Sequence, residues 1–379
     1  METQVCSGYS LDDVLSQIDT QTEAGLRPTL ALTFCAPDQD ASALGAALGE
    51  RGLSVVGATT AGEIAGGTIL EGGCTVMLWE AAPDRFDVWS EERRADDTME
   101  AVAQRLGEAA IQRFAEPVVI VFASGLATDG QTVVQGLERG AGRPVPLYGG
   151  LAGDDMRMVE TNVLADGQVL SDGLAALILD GSRYRVEGLA TSGWQPVGVA
   201  KEVTRSEGNV VYELDGAPVL DVYSQYFDLG DLRDSNVSIV MDIGVQYPLL
   251  VERDQGRSVI RAPLFSDPDA GSLVFAGGVP QGSRVRFCIP PSLDVVDRVV
   301  EEVETLYDRA PDADAVLLVS CKARHSALGP LAEDEVHSLN EVWGVPMAGY
   351  FSYGEIGGAT GECDFHNETC MLVTVREVA

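Results

Sequence analysis

The chain carries very little positive charge. Its 379 residues contain 25 lysines and arginines against 59 aspartates and glutamates, for a formal net charge of −34. Only Lys201 and Lys322 are lysines. Proteins bind nucleic acids and anionic membranes through basic patches, and we find none in this sequence. We therefore expect neither nucleic-acid nor membrane binding, and we attribute the acidity to solubility.

Long apolar runs, histidines and paired cysteine motifs are also scarce. No run approaches the roughly 20 apolar residues that span a bilayer, and residues 1–6 lack the features of a signal peptide. The three histidines are too scattered to indicate a metal site by spacing. The seven cysteines form an odd set without a Cys-x-x-Cys pair, which argues for reduced thiols. We expect a cytoplasmic protein without a metal site.

A glycine-bracketed acid occurs twice. Residues 57–67 read Gly-Ala-Thr-Thr-Ala-Gly-Glu-Ile-Ala-Gly-Gly, and residues 349–358 read Gly-Tyr-Phe-Ser-Tyr-Gly-Glu-Ile-Gly-Gly. Glycine on both sides allows positive φ and close backbone approach, which presents Glu63 and Glu355 at strand ends. A chain of this length also exceeds what one hydrophobic core usually serves. The repeat indicates an internal duplication.

Hydrophobic periodicity predicts one order of elements three times: helix, strand, helix, strand, glycine turn, strand. The copies begin near residues 10, 97 and 291, and a fourth, degraded copy is predicted within 214–289. Short strand–helix–strand segments imply parallel pairing, whereas 86–90 and 184–190 are predicted antiparallel. The predicted fold is therefore α/β (mixed α+β), with two related layered domains, 1–200 and 201–379, and mixed sheets.

Strand ends are the expected place for a ligand, because helix N-termini and loops converge beyond the carboxyl ends of parallel strands. We expect one region to collect the strand ends and turn acids Cys35, Ser124, Cys321, Glu63, Asp154 and Glu355. The segment 320–325, Ser-Cys-Lys-Ala-Arg-His, is the richest of these ends. Arg324 either holds a ligand carboxylate or pairs with Glu355 to brace two loops.

Three further positions carry alternatives. Cys321 is either a nucleophile activated by cationic neighbours or a small buried hydrophobe. His366 and Asn367 either contact a ligand or form hydrogen bonds within their turn. Tyr353 adds aromatic surface that suits stacking on a planar ligand, although such rings also pack against their own domain. No phosphate-binding glycine motif is present.

Several of these segments together resemble a known family. Residues 55–64, Val-Val-Gly-Ala-Thr-Thr-Ala-Gly-Glu-Ile, look like the amino-terminal signature of FIST-domain proteins. Residues 320–324, 349–356 and 365–369 resemble motifs of the FIST carboxyl-terminal domain. The resemblance spans about residues 27–370 and implies a FIST N-like domain over 1–200 and a FIST C-like, ligand-binding domain over 201–379.

The resemblance implies a sensory module of prokaryotic signal transduction that binds small ligands, such as an amino acid or another anionic or amphoteric metabolite. It implies no enzymatic activity. Family members often adjoin kinase, cyclase or chemotaxis domains, so we expect a separate partner such as a histidine kinase or a cyclase. Some similar proteins are reported to bind haem and respond to nitric oxide, which makes His366 a candidate axial ligand. Otherwise we expect no cofactor.

The leading hypothesis is thus a cytoplasmic small-ligand sensor. Its predicted site consists of Cys321, Arg324, Tyr353, Glu355, His366 and Asn367. In this interpretation Arg324 anchors the anionic end of the ligand, so that Arg324→Ala abolishes binding and leaves the fold mostly intact. The alternatives are a haem-binding, nitric-oxide-responsive sensor that uses His366 and a cysteine-dependent enzyme that uses Cys321.

Overall fold

The computed structural model describes residues 1–126, 128–230, 232–233, 238–253, 258–358 and 363–378. The helices are α1 Leu11–Ala24, α2 Ala41–Glu50, α3 Met99–Arg113, α4 Gly130–Ala141, α5 Val219–Phe227, α6 Val295–Tyr307, α7 Lys322–Leu328 and α8 Leu331–Trp343, with a π-helical turn at Ile239–Gly244. The strands of the amino-terminal half are β1 Thr3–Gly8, β2 Leu30–Cys35, β3 Ser54–Thr59, β4 Glu63–Ala65, β5 Thr68–Leu70, β6 Cys74–Trp79, β7 Phe86–Glu92, β8 Pro117–Ala123, β9 Leu147–Leu151, β10 Val163–Ala165, β11 Gln168–Leu170, β12 Gly173–Asp180 and β13 Tyr184–Thr191. The remaining strands are β14 Gln195–Glu207, β15 Val210–Leu214, β16 Ala217–Pro218, β17 Leu249–Val251, β18 Val259–Arg261, β19 Pro263–Asp267, β20 Ser272–Phe275, β21 Arg284–Ile289, β22 Ala315–Cys321, β23 Met347–Ser352, β24 Glu355–Gly357, β25 Asp364–His366 and β26 Cys370–Glu377.

Local capping chemistry explains where the helices of the repeats begin. The Ser10 side chain accepts a hydrogen bond from the Asp13 backbone N–H at 3.2 Å, and Asp40 accepts from the Ala43 N–H at 2.8 Å. Asp129 caps α4 by accepting from the Gln131 N–H at 2.9 Å. Each cap satisfies an amide that the first turn of a helix leaves free, which is why these boundaries were predictable from sequence.

Three of the sheets repeat one strand order, which confirms the predicted mixed α+β class. The orders are β1-β6-β2-β3-β10-β11, β7-β12-β8-β9-β24-β25 and β13-β26-β22-β23-β4-β5. Each sheet contains one parallel pair, β2/β3, β8/β9 or β22/β23, and the crossover connections are α2, α4 and the pair α7 and α8. The strands β7 and β13 pair antiparallel with β12 and β26, as predicted.

The three repeats exchange their hairpins in a cycle. The hairpin β4–β5 of the first repeat pairs with β23 of the third, and β10–β11 of the second pairs with β3 of the first. The hairpin β24–β25 of the third repeat pairs with β9 of the second. Glu63 and Glu355 begin two of these exchanged hairpins, so the duplicated glycine-acid turn marks where the chain passes from one sheet to the next.

The inner faces of the three sheets share one core. Phe34, Phe122 and Tyr350, one from each sheet, pack there with ring centroids 4.9–6.1 Å apart. The helix pairs α1/α2, α3/α4 and α6/α8 bury apolar faces against the outer surfaces of the sheets in separate clusters. Layered α/β packing therefore occurs three times around a common centre.

The predicted fourth copy is wrong. The strands β14–β21 form an inserted sheet in which every strand pair is antiparallel, and α5 packs with it in a core of its own. Its hairpins have short connections, whereas a parallel pair needs a crossover of a dozen or more residues. The predicted division at residues 200/201 lies within β14 and stays a prediction.

Candidate ligand-binding cavity

A cavity of about 620 Å³ opens at the carboxyl ends of β8 and β22. Three parts of the fold form its walls: the loop after β8 (Leu126, Thr128, Asp129), the inserted sheet (Phe265, Ala276) and the ends of β22, β23 and β25 (Cys321, Tyr353, Asn367). This volume lies in the range of small-molecule sites, and the position is the one that parallel strand ends favour.

The six site residues predicted from sequence divide into two groups. Cys321, Tyr353 and Asn367 line the cavity. Arg324, Glu355 and His366 are not among its lining residues and are buried in the surrounding protein. Whether the first group contacts a ligand stays a prediction.

Arg324 is fully buried and holds α7 to α8. Its Nε donates to Glu335 Oε2 at 3.1 Å, its Nη2 donates to the other carboxylate oxygen, and its Nη1 donates to the Ser192 carbonyl. The guanidinium lies 5.5 Å from the centre of the Trp194 ring. The alternative in which Arg324 pairs with Glu355 is therefore wrong, because α7 begins directly after β22 and turns Arg324 toward α8.

Two buried glutamates lie behind the cavity wall. Burial raises the pKa of Glu355 to about 8, although Ser352 and Thr369 donate hydrogen bonds to its carboxylate. Glu368 is fully buried, and neither carboxylate oxygen has a hydrogen-bond partner in the described part of the chain. Burial, and then the nearby Glu355, raise the pKa of Glu368 well above its usual value. These residues favour the protonated form at neutral pH.

Tyr353 forms part of the cavity wall and anchors the loop after β9. Its hydroxyl donates to the Asp154 carboxylate and accepts from the Met156 N–H at 2.7 Å. Burial alone raises the pKa of Asp154, but hydrogen bonds from Tyr353 and from the 158–160 backbone hold that pKa below its usual value. Asp154 therefore organises the loop rather than facing the cavity.

The six strand-end residues expected in one region do not line one cavity. Of these six, Cys321 alone is among the residues that line the cavity. Ser124 exchanges hydrogen bonds with Gly173, and Cys35 is buried opposite Cys74 on the neighbouring strand. Glu63 accepts from Thr60 and from the Gly73 N–H. Glu63 and Glu355 thus occupy matching positions, each with its carboxylate held by hydrogen bonds from its own surroundings.

Cys321 lines the cavity but is only 4% exposed. Burial raises the pKa of the Cys321 thiol well above its usual value, and the nearby Glu355 and Glu368 act in the same direction. A nucleophilic cysteine needs the opposite, a stabilised thiolate.

We expect iodoacetamide at pH 7 to alkylate Cys321 at least tenfold more slowly than free glutathione, because the thiolate fraction and the access are both low. Peptide mass spectrometry over a time course measures this rate, with Cys321→Ser as the control for peptide assignment. Alkylation faster than that of glutathione would support the enzyme hypothesis.

His366 does not fit the role of a haem ligand in this cavity. Its Nε2 donates to the Gly357 carbonyl at 3.0 Å, and the side chain is buried away from the lining. Burial lowers the pKa of His366 to about 4. An axial ligand must aim a ring nitrogen at an open slot, whereas Nε2 faces the backbone of its own hairpin and the ring is not part of the cavity lining.

Sequence reasoning missed the inserted sheet and the helix start at Asp129 as parts of the site. Phe265 lies on β19 and Ala276 directly follows β20, and neither belongs to a chemical motif, so nothing local indicated them. Asp129 caps α4, and its position shortly after β8 was the available signal.

Family comparison covers most of the chain. The FIST N domain matches residues 29–217, and the FIST C domain matches residues 220–358. The chain belongs to the FIST family. FIST domains are sensory domains of signal transduction, and the cavity lies where the FIST N and FIST C segments of this chain meet.

Relatives of this FIST protein occur in bacteria and archaea. An uncharacterised protein of Mycobacterium bovis is 28% identical over 230 residues, which cover 60% of this chain and 59% of that protein. An uncharacterised protein of Mycobacterium tuberculosis is 26% identical over 235 residues, 60% of each. One from Methanocaldococcus jannaschii is 31% identical over 85 residues, 22% of this chain and 16% of that protein. The chain thus spans about three fifths of the length of the mycobacterial relatives.

No helix within the described ranges combines the length and the apolar character of a membrane span.

Proposed function

We propose that this FIST protein is a cytoplasmic sensor that binds a small molecule in the cavity and passes its state to a separate signalling protein, such as a histidine kinase, a cyclase or a chemotaxis protein. One observation carries the proposal: residues from both family segments, among them Asp129 and Tyr353, face the same cavity of about 620 Å³. Seven free thiols support the cytoplasmic assignment.

The shared cavity also supports a way of signalling. A ligand that touches the loop after β8, the inserted sheet and the start of α7 favours one arrangement of these three parts over others. Differential affinity for that arrangement is what a ligand needs to shift a conformational equilibrium. The signal then leaves the site as a change in how the inserted sheet packs on the repeats.

Filling the cavity tests the proposal. Ala276 lines the cavity on the inserted sheet, so Ala276→Trp places an indole where the ligand would lie. We expect native mass spectrometry of freshly purified wild-type protein to show a bound small molecule and the variant to lose it. Leu293→Trp is the matched control, because Leu293 is 87% exposed and does not line the cavity. A ligand that Ala276→Trp retains at wild-type occupancy contradicts this site.

A further inference from the structure

Asn367 presents an unmatched hydrogen-bond acceptor at the cavity wall. It lines the cavity and is only 2% exposed, and its Oδ1 has no partner among the described residues. Leaving a buried acceptor unpaired costs about 1–3 kcal/mol, and native proteins keep few such groups. The amide oxygen therefore marks a position where a bound molecule places a donor.

The loop before α4 adds acceptors to the same cavity. Thr128 and Asp129 both line it, and the buried Thr128 hydroxyl also has no partner in the described ranges. One Asp129 oxygen accepts the capping hydrogen bond from Gln131. The Phe365 ring lies against Gly130 and Gly354, where added Cβ atoms would come within 2.2–2.4 Å of ring carbons. This contact joins the wall that carries Asp129 to the wall that carries Asn367.

The cationic side chains nearby are already paired. Lys322 is the basic residue among the described lining residues, and its Nζ lies 3.0 Å from His325 Nδ1 and 3.9 Å from the Glu71 carboxylate. Arg324 is paired with Glu335. Arg261 donates to the Phe365 and Ile260 carbonyls at 2.9 Å. A ligand carboxylate would thus meet Asp129 and uncharged acceptors without a free guanidinium to receive it.

Most of the remaining lining residues are apolar, and the polar Asn209 and Ser352 donate hydrogen bonds to the Phe275 carbonyl and to Glu355. Leu264, Phe265 and Phe275 line the side of the inserted sheet, and Met156 and Met158 line the loop after β9. Methionine side chains adapt to irregular apolar shapes. The walls therefore suit an apolar body, and at the polar end the unpaired Asn367 Oδ1 calls for a hydrogen-bond donor.

We propose that the ligand class of this cavity is an apolar molecule with a hydrogen-bond-donating group, neutral or cationic, and that Asn367 receives this donor. The inference rests on the proposed function and refines it. The sequence suggested a ligand whose anionic end binds Arg324. The proposed ligand is instead neutral or cationic and donates a hydrogen bond to Asn367.

Three probes with one aromatic body test the class: 2-(1-naphthyl)ethylamine, 2-(1-naphthyl)ethanol and 1-naphthylacetate. They differ in a cationic donor, a neutral donor and an anionic acceptor. Isothermal titration of the full chain is expected to show the amine and the alcohol binding at least tenfold more tightly than the carboxylate. Asn367→Leu is expected to reduce this preference by removing the acceptor, whereas Asn367→Asp keeps an acceptor and is expected to strengthen the preference for the amine. Thermal unfolding of both variants checks that they fold.

The outcomes distinguish a wrong ligand class from a wrong binding site. If the carboxylate binds as tightly as the alcohol and Ala276→Trp blocks both, the cavity is a binding site and the proposed ligand class is wrong. If no probe shows saturable binding, or if binding survives Ala276→Trp unchanged, the proposed function fails together with this inference. A preference for donors that Asn367→Leu leaves intact removes Asn367 as the receiving group and overturns the proposal.

Discussion

Replacing Arg324 with methionine is expected to lower the free energy of unfolding by about 3–5 kcal/mol, because it leaves the carboxylate of Glu335 buried without its partner. Arg324 and Glu335 are 0% and 3% exposed, and two parallel hydrogen bonds join them. The substitution also leaves the Ser192 carbonyl without the Arg324 donor. Urea unfolding at pH 7, followed by circular dichroism, measures the change.

Two controls make this result specific. The double variant Arg324→Met with Glu335→Leu removes both charges, so it is expected to recover most of the lost stability. Arg51→Met breaks an exposed ion pair with Asp19, and we expect it to change stability by about 1 kcal/mol or less. An Arg324→Met protein as stable as wild type would show that this pair does not hold α7 to α8. The loss of stability expected here replaces the prediction from sequence that Arg324→Ala leaves the fold mostly intact.

Stability is expected to fall by about 2–3 kcal/mol as the pH rises from 6.5 to 8. Burial raises the pKa of Glu63 to about 7 and that of Glu355 to about 8. In the unfolded chain both carboxyls are ionised above pH 6. The folded state therefore binds more protons than the unfolded state across this range, and it loses stability as the two carboxyls ionise. At about 1.4 kcal/mol per pKa unit, Glu355 alone contributes about 2 kcal/mol.

The histidines act in the opposite direction, mostly below this window. Burial lowers the pKa values of His325 and His366 to about 4, so these residues make stability rise with pH until unfolded histidine has lost its proton, and half of that loss is complete at about pH 6.5. Urea midpoints at pH 6.5, 7, 7.5 and 8 give the slope. A stability that stays constant or rises over this range contradicts the assignment.

Single substitutions show which residues cause the slope of stability against pH. Glu355→Gln is expected to flatten it, although the amide offers one acceptor to the two hydroxyls of Ser352 and Thr369 and so lowers stability at pH 6.5. Glu368→Gln is expected to raise stability at pH 8, because the carboxyl has no hydrogen bonds to lose within the described residues. Glu333→Gln, at an exposed position on α8, is expected to leave the slope unchanged.

Three of the six predicted site residues line the cavity, and whether they contact a ligand stays a prediction. Cys321, Tyr353 and Asn367 follow strand ends and line the cavity, as the position of ligands in parallel sheets suggested. Arg324 lies on a helix that begins one residue after β22, so its side chain turns away from the position that a loop would have given it. The sequence contained no strong signal for that helix.

The sequence alone determined the repeated order of elements, the helix starts and the family, because periodicity, capping side chains and glycine turns act over a few residues. The tertiary structure decided which strands pair, and so the cyclic exchange of the hairpins, the antiparallel insert and the pairing of Arg324 with Glu335. It also decided that the inserted sheet, the loop after β8 and the ends of β22 and β23 enclose one cavity. These outcomes depend on burial and on contacts between residues distant in the chain, which local patterns do not encode.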